Sequence, residues 1–128
     1  MSQTNREITV KTIAKEVLGF ETLETRQSDR LDFKDVHVSA VYGALRLAYL
    51  AGAHSNGGEA GTLGDEFDQQ MLDAATRHFS IKSFEQRNSD RLDFHDAAVW
   101  SVKAALEEAY DLGLAAAKPT TNRQGPRL

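Results

Sequence analysis

Arg26-Gln27-Ser28-Asp29-Arg30-Leu31-Asp32-Phe33-Lys34-Asp35 returns 61 residues later as Arg87-Asn88-Ser89-Asp90-Arg91-Leu92-Asp93-Phe94-His95-Asp96. Around this block, residues 24–53 align without a gap to 85–114 and are identical at 16 of 30 positions. Repeated units stack so that each buries its apolar face on its neighbour. Two pseudo-equivalent halves sharing one core are therefore expected. Each half is close to the size at which isolated domains need disulfides or metals to stay folded. The 128 residues contain no cysteine, so disulfides and thiolate metal sites are excluded. One cooperative unit is the remaining solution.

Working outward, Ile8, Ile13, Ala14, Val17 and Leu18 fall on one face of a helix that Gly19 ends. Met71, Ala74, Ala75, His78 and Phe79 repeat that face in the second half, with Asp65 as its expected cap. Residues 21–26 and 82–87 alternate as half-buried strands do. The turn-forming Gln27-Ser28-Asp29 and Asn88-Ser89-Asp90 would fold residues 30–33 and 91–94 back as a second strand. Residues 32–52 and 93–113 then read as long helices, with Gly52 and Gly113 as left-handed caps. The expected fold class is α+β: two tandem helix-hairpin-helix repeats related by a pseudo-twofold axis, sharing one antiparallel sheet and core. The divisions are repeat 1 at 4–53, a glycine-rich linker at 54–64, repeat 2 at 65–117 and a disordered tail at 118–128.

A net charge of −4 and a pI near 5.5 disfavour nonspecific duplex binding, which rests on many lysine and arginine contacts to phosphate. No apolar run reaches 18 residues and the N-terminus lacks a signal-like core, so a cytoplasmic protein without membrane contact is expected.

The repeated Asp-Phe-x-Asp has two readings. Asp29, Asp32 and Asp35 with Asp90, Asp93, His95 and Asp96 resemble two clusters able to hold a divalent cation such as magnesium, which would suit a metal-dependent hydrolase. The same spacing resembles a helix capping box, and a shared folding signal explains its identity in both copies. Capping is favoured, and no metal or cofactor is expected. Arg26, Arg30, Arg87 and Arg91 could bind anions in bidentate fashion, or pair with the neighbouring aspartates. His37 aligns with Ala98 and His95 with Lys34, so neither histidine belongs to the shared design. Gly58, Gly61 and Gly64 lack the lysine and leading strand of a phosphate loop.

The copies differ informatively. Tyr42, Leu47 and Leu50 become Lys103, Glu108 and Asp111, so the first long helix is apolar on two sides while its twin is solvated on one. Trp100 replaces Ser39; a lone tryptophan near a helix start is core in most cases, yet tryptophan is also the commonest binding anchor. Tyr42, Leu47, Leu50 and Trp100 are thus the candidate partner-binding residues, for a protein partner or for self-association as a homodimer. Nucleic-acid binding through the four arginines is the second reading.

Residues 85–113, with Arg-x-Ser-Asp-x-Leu-Asp-Phe-His-Asp followed by Ala-Val-Trp-Ser, resemble a small bacterial and phage domain family of unknown function. The resemblance extends to residues 8–52. The family's His and Trp are kept at His95 and Trp100 and replaced at Lys34 and Ser39. Such a resemblance implies a small regulatory or inhibitory accessory protein of phages or mobile elements, not an enzyme.

Overall fold

The computed structural model describes residues 5–24, 32–55, 58, 63–84 and 94–117. In chain order the elements are α1 (Asn5–Leu18), β1 (Phe33–His37), α2 (Val38–His54), α3 (Asp65–Phe79), β2 (Phe94–Ala98) and α4 (Val99–Ala116). The fold is α+β, with tandem halves that, among the described residues, contribute two of these helices and one strand each.

The opening helix of each half forms, but its buried face is only in part the expected stripe: Ile8 is exposed and Val17 and His78 are half-buried, while Val10 and Phe67 join the core. Val10, Ile13, Ala14 and Leu18 are buried along α1, and Phe67, Met71, Ala74, Ala75 and Phe79 along α3. Both helices stop in the same way. Gly19 turns left-handed at φ 78°, its N–H donating to Lys15 O and that of Phe20 to Ala14 O. Ser80, at the equivalent position, takes φ 60°, with Ser80 N–H donating to Thr76 O and Ile81 N–H to Ala75 O. The buried Phe20 and Ile81 complete the hydrophobic contact that accompanies this type of helix end. Asp65 is the first residue of α3 and not its cap; Gly64 holds that position without a side chain to offer.

The strands lie later in the sequence than expected. Residues 21–24 and 82–84, read as strands from their alternation, are irregular. The paired segments are instead Phe33–His37 and Phe94–Ala98, one from each half, antiparallel in a two-stranded ribbon. Its register pairs Asp35 with Asp96, which are equivalent residues of the two copies. The pseudo-twofold axis consequently passes through this pair. A ribbon built across the axis leaves no room for the long helices to begin at Asp32 and Asp93. They begin at Val38 and Val99, and the repeated motif runs into a strand where a helix cap was expected. At α2 the cap is His37, whose Nδ1 accepts from the Ser39 N–H at 3.1 Å, while Ala98 caps α4 with no side-chain bond.

Val36 and Ala97 turn the inner face of the ribbon into a core that α2 and α4 fill together. Those two helices pack most extensively on each other, and α1 and α3 each lie across both. Val38, Val41, Leu45, Ala48 and Tyr49 of α2 are matched by Val99, Val102, Leu106, Ala109 and Tyr110 of α4. Gly52 and Gly113 are not caps; both lie within their helices, at a close crossing. A Cβ on Gly52 would land on the Tyr110 carbonyl oxygen, and one on Gly113 on the Tyr49 carbonyl oxygen. The helices meet there backbone to backbone, which only glycine allows.

Candidate functional site

Pairing across β1 and β2 sets what the outer face of the ribbon displays. Directly opposed residues share a face, so Phe33, Asp35 and His37 stand with Ala98, Asp96 and Phe94. The Trp100 ring, one residue into α4, meets Phe33 edge to face with centroids 5.3 Å apart. At the other end His37 meets Phe94 at 4.9 Å, and its Nδ1 lies 2.8 Å from the Ser39 Oγ. Trp100 is 50% exposed and Phe94 41%. The surface is an aromatic pair at each end with two carboxylates between them.

Those carboxylates are like charges in direct opposition, an unfavourable cross-strand pair. Hydrogen bonding to Asp35, followed by slight burial and repulsion from Asp35, raises the Asp96 pKa above the ordinary aspartate value. A carboxyl whose pKa is raised on folding favours the folded state at low pH and withdraws that support as pH rises through the raised value. Stability should therefore fall from acid toward neutral pH over the range just above the ordinary aspartate pKa. In Asp96→Asn that fall should be smaller, with a higher melting temperature at pH 7; equal pH profiles for the two proteins would refute the pairing.

The duplication also yields two equivalent clefts, each between the first helix of one half and the long helix of the other. The first, about 210 Å³, is lined in part by Glu7, Lys11, Leu23, Glu24, Lys103 and Glu107. The second, about 520 Å³, is lined by Tyr42, Asp65, Asp68, Gln69, Leu72 and Phe84. At the repeat offset Asp68 replaces Glu7, Leu72 replaces Lys11, Phe84 replaces Leu23 and Tyr42 replaces Lys103. Tyr42 Oη donates to Asp68 Oδ1 at 2.8 Å, and its ring meets Phe84 at 5.1 Å and Phe67 at 6.3 Å. Burial, reinforced by Asp68, raises the Tyr42 pKa and keeps the phenol protonated.

The same divergence appears where the helices brace each other. Arg6 of α1 forks onto Asp111 of α4 at 3.0 and 2.7 Å, whereas the equivalent Phe67 packs its ring 4.8 Å from Tyr49. Arg77 and His78 pair with Glu108, His78 Nε2 at 2.8 Å. Burial and the adjacent Arg77 hold His78 below its usual pKa, and its Nε2–H donates to the Glu108 carboxylate. His78 is thus half-buried on a carboxylate, not packed among apolar groups. The equivalent positions in the first half, Val17 and Leu47, are apolar.

The candidate partner-binding residues separate. Trp100 belongs to the ribbon face and Tyr42 to the second cleft, while Leu47 is 48% exposed on α2 and Leu50 half-buried. Arg26, Arg30, Arg87 and Arg91 lie outside the described residues, as do Asp29, Asp90, Asp93 and the tail at 118–128. Asp32 is 3% exposed, apart from the exposed Asp35. Among the described residues no group of three or more acids and histidines is placed to hold a metal, and no helix is long and apolar enough to cross a membrane. The sequence reading missed Phe33, His37 and Phe94. Their alternation was present in Phe33-Lys34-Asp35-Val36-His37 but was absorbed into the expected helix.

Residues 5–56 and 66–117 each match the model of a family of unknown function, DUF6900. The chain belongs to this family. No curated protein and no solved structure matches it. Among the described residues each DUF6900 unit supplies two helices and a strand, and the ribbon forms where the two units meet.

Proposed function

We propose that this tandem DUF6900 chain is a non-enzymatic protein-binding module whose contact surface is the outer face of the ribbon. The observation that carries this reading is the half-exposed Trp100, held edge-on to Phe33 at one end of a face that Phe94 and His37 close at the other. Fixed, partly exposed aromatics around a polar centre suit the anchors of a protein interface. Asp35 and Asp96 at the centre favour a partner that sets a basic residue between apolar ones, and they oppose phosphate, which supports a protein partner over nucleic acid. Both strands also have a free edge among the described residues, open to an added strand. Such a role suits a cytoplasmic accessory protein of a phage or mobile element, which is what the family resemblance implies.

The test is capture of a partner from the host's own lysate by the full chain, then affinity measurement with the purified pair. Trp100→Ser with Phe94→Ser should leave the circular dichroism unchanged and weaken binding by about thirtyfold, the usual weight of an aromatic anchor. A purified pair whose affinity is indifferent to both substitutions would exclude this face.

A further inference from the structure

We propose that the second cleft is a receptor for a cationic side chain, arginine foremost, presented by a basic segment of a partner protein. The argument starts from the duplication. Two clefts on the same scaffold have diverged at equivalent positions, and the divergence has a direction. In the first, Lys11 and Lys103 stand among Glu7, Glu24 and Glu107, so acids and bases are both present in the lining. In the second those two lysines are replaced by Leu72 and Tyr42, Asp68 stands where Glu7 does, Asp65 stands where Thr4 does, and none of the described residues that line it is cationic. Among the described residues a cation, Arg46, lies one turn beyond Tyr42 on α2, where the first cleft has Glu107, and its charge acts on the Tyr42 phenol. The change leaves carboxylates above aromatic and aliphatic walls.

That combination selects its ligand. An arginine offers a flat guanidinium that forks onto carboxylates and lies on aromatic faces, on a stem that packs against apolar surface. Tyr42 and Phe84 supply the rings, Leu72 the aliphatic wall, and Asp65 with Asp68 the carboxylates. Tyr42 is fixed by its bond to Asp68 Oδ1, so the cleft is shaped before a ligand arrives, which lowers the ordering cost of binding. The second cleft is also the roomier, at about 520 against 210 Å³. This site is separate from the ribbon face and does not depend on it.

The experiment is titration of the isotope-labelled full chain with the synthetic peptide acetyl-Gly-Arg-Gly-Arg-Gly-amide, followed by amide shifts, beside the same peptide carrying citrulline for arginine. Citrulline keeps the shape and removes the charge. Expected are shifts confined to the first two turns of α3, Tyr42 and Phe84, at least tenfold weaker with citrulline. Asp65→Asn, which leaves the Tyr42–Asp68 bond in place, should weaken the arginine peptide by about tenfold, and Trp100→Ser should not change it. The proposal is overturned if no shift occurs, if citrulline binds equally, or if shifts scatter over the acidic surface. It is equally overturned if these amides shift with protein concentration alone, which would make a second copy of the chain the occupant.

Discussion

Gly52→Ala and Gly113→Ala should each cost the protein a large part of its stability. The added methyl would overlap a carbonyl oxygen of the facing helix, Tyr110 O in one case and Tyr49 O in the other. Backbone cannot rotate aside as a side chain can, so α2 and α4 must move apart along the contact that fills the core. We expect a loss of about 3 kcal/mol or more from each, against the roughly 5–15 kcal/mol that holds a typical domain together. Gly43 supplies the internal control. It lies on α2 with nothing within 4 Å of where a Cβ would stand, so Gly43→Ala should stabilise by about 0.5–1 kcal/mol through helix propensity alone. Urea unfolding followed by circular dichroism separates the cases. Equal small effects at Gly43 and Gly52 would show that the helices do not cross where the structure places them.

The second large effect tests whether the halves share one interior. Leu45 and Leu106 occupy equivalent positions and are fully buried between the same two helices. Truncation of a buried leucine to alanine removes its transfer free energy and leaves a cavity, at a cost of about 2–5 kcal/mol. Leu45→Ala and Leu106→Ala should therefore lower stability by similar amounts. More telling is the form of the transition. Because the ribbon draws one strand from each half and α1 and α3 each span both long helices, damage to one half should unfold both together. Fluorescence of Trp100 in the second half should report the unfolding caused by Leu45→Ala in the first, coincident with the far-ultraviolet signal. Two separate transitions would contradict a common core.

Much of this architecture was legible in the residues. The 61-residue repeat announced paired halves, and the stripes of α1, α3, α2 and α4 named most of the residues that prove buried, but not Val10, Phe20, Val36, Phe67, Ile81 or Ala97. Gly19 marked the end of its helix as its chemistry requires, although nothing local announced that Ser80 would adopt the same left-handed turn. The candidate site was legible only in part. Trp100 and Tyr42 were singled out as departures from the repeat, but the surfaces they belong to contain residues from the other half: Phe33 and His37 for one, Asp68 and Phe84 for the other. Asp32 and Asp35 carried an ambiguity that local spacing could not resolve. An acid three residues from another fits a helix start as well as a strand entry, and capping prevailed because it needs no distant partner.

The residues alone determined that there are two like units, which positions in each are apolar, and where the units have diverged, since all three follow from comparing the chain with itself. Tertiary structure decided what those positions face. Strand pairing satisfies backbone groups through a second segment distant in sequence, so residues 33–37 became a strand only because 94–98 lay opposite, and that pairing put Asp35 against Asp96 on the axis. Gly52 and Gly113 changed from expected caps to crossing points for the same reason: the absence of a side chain has meaning only against whatever backbone stands in the space it leaves.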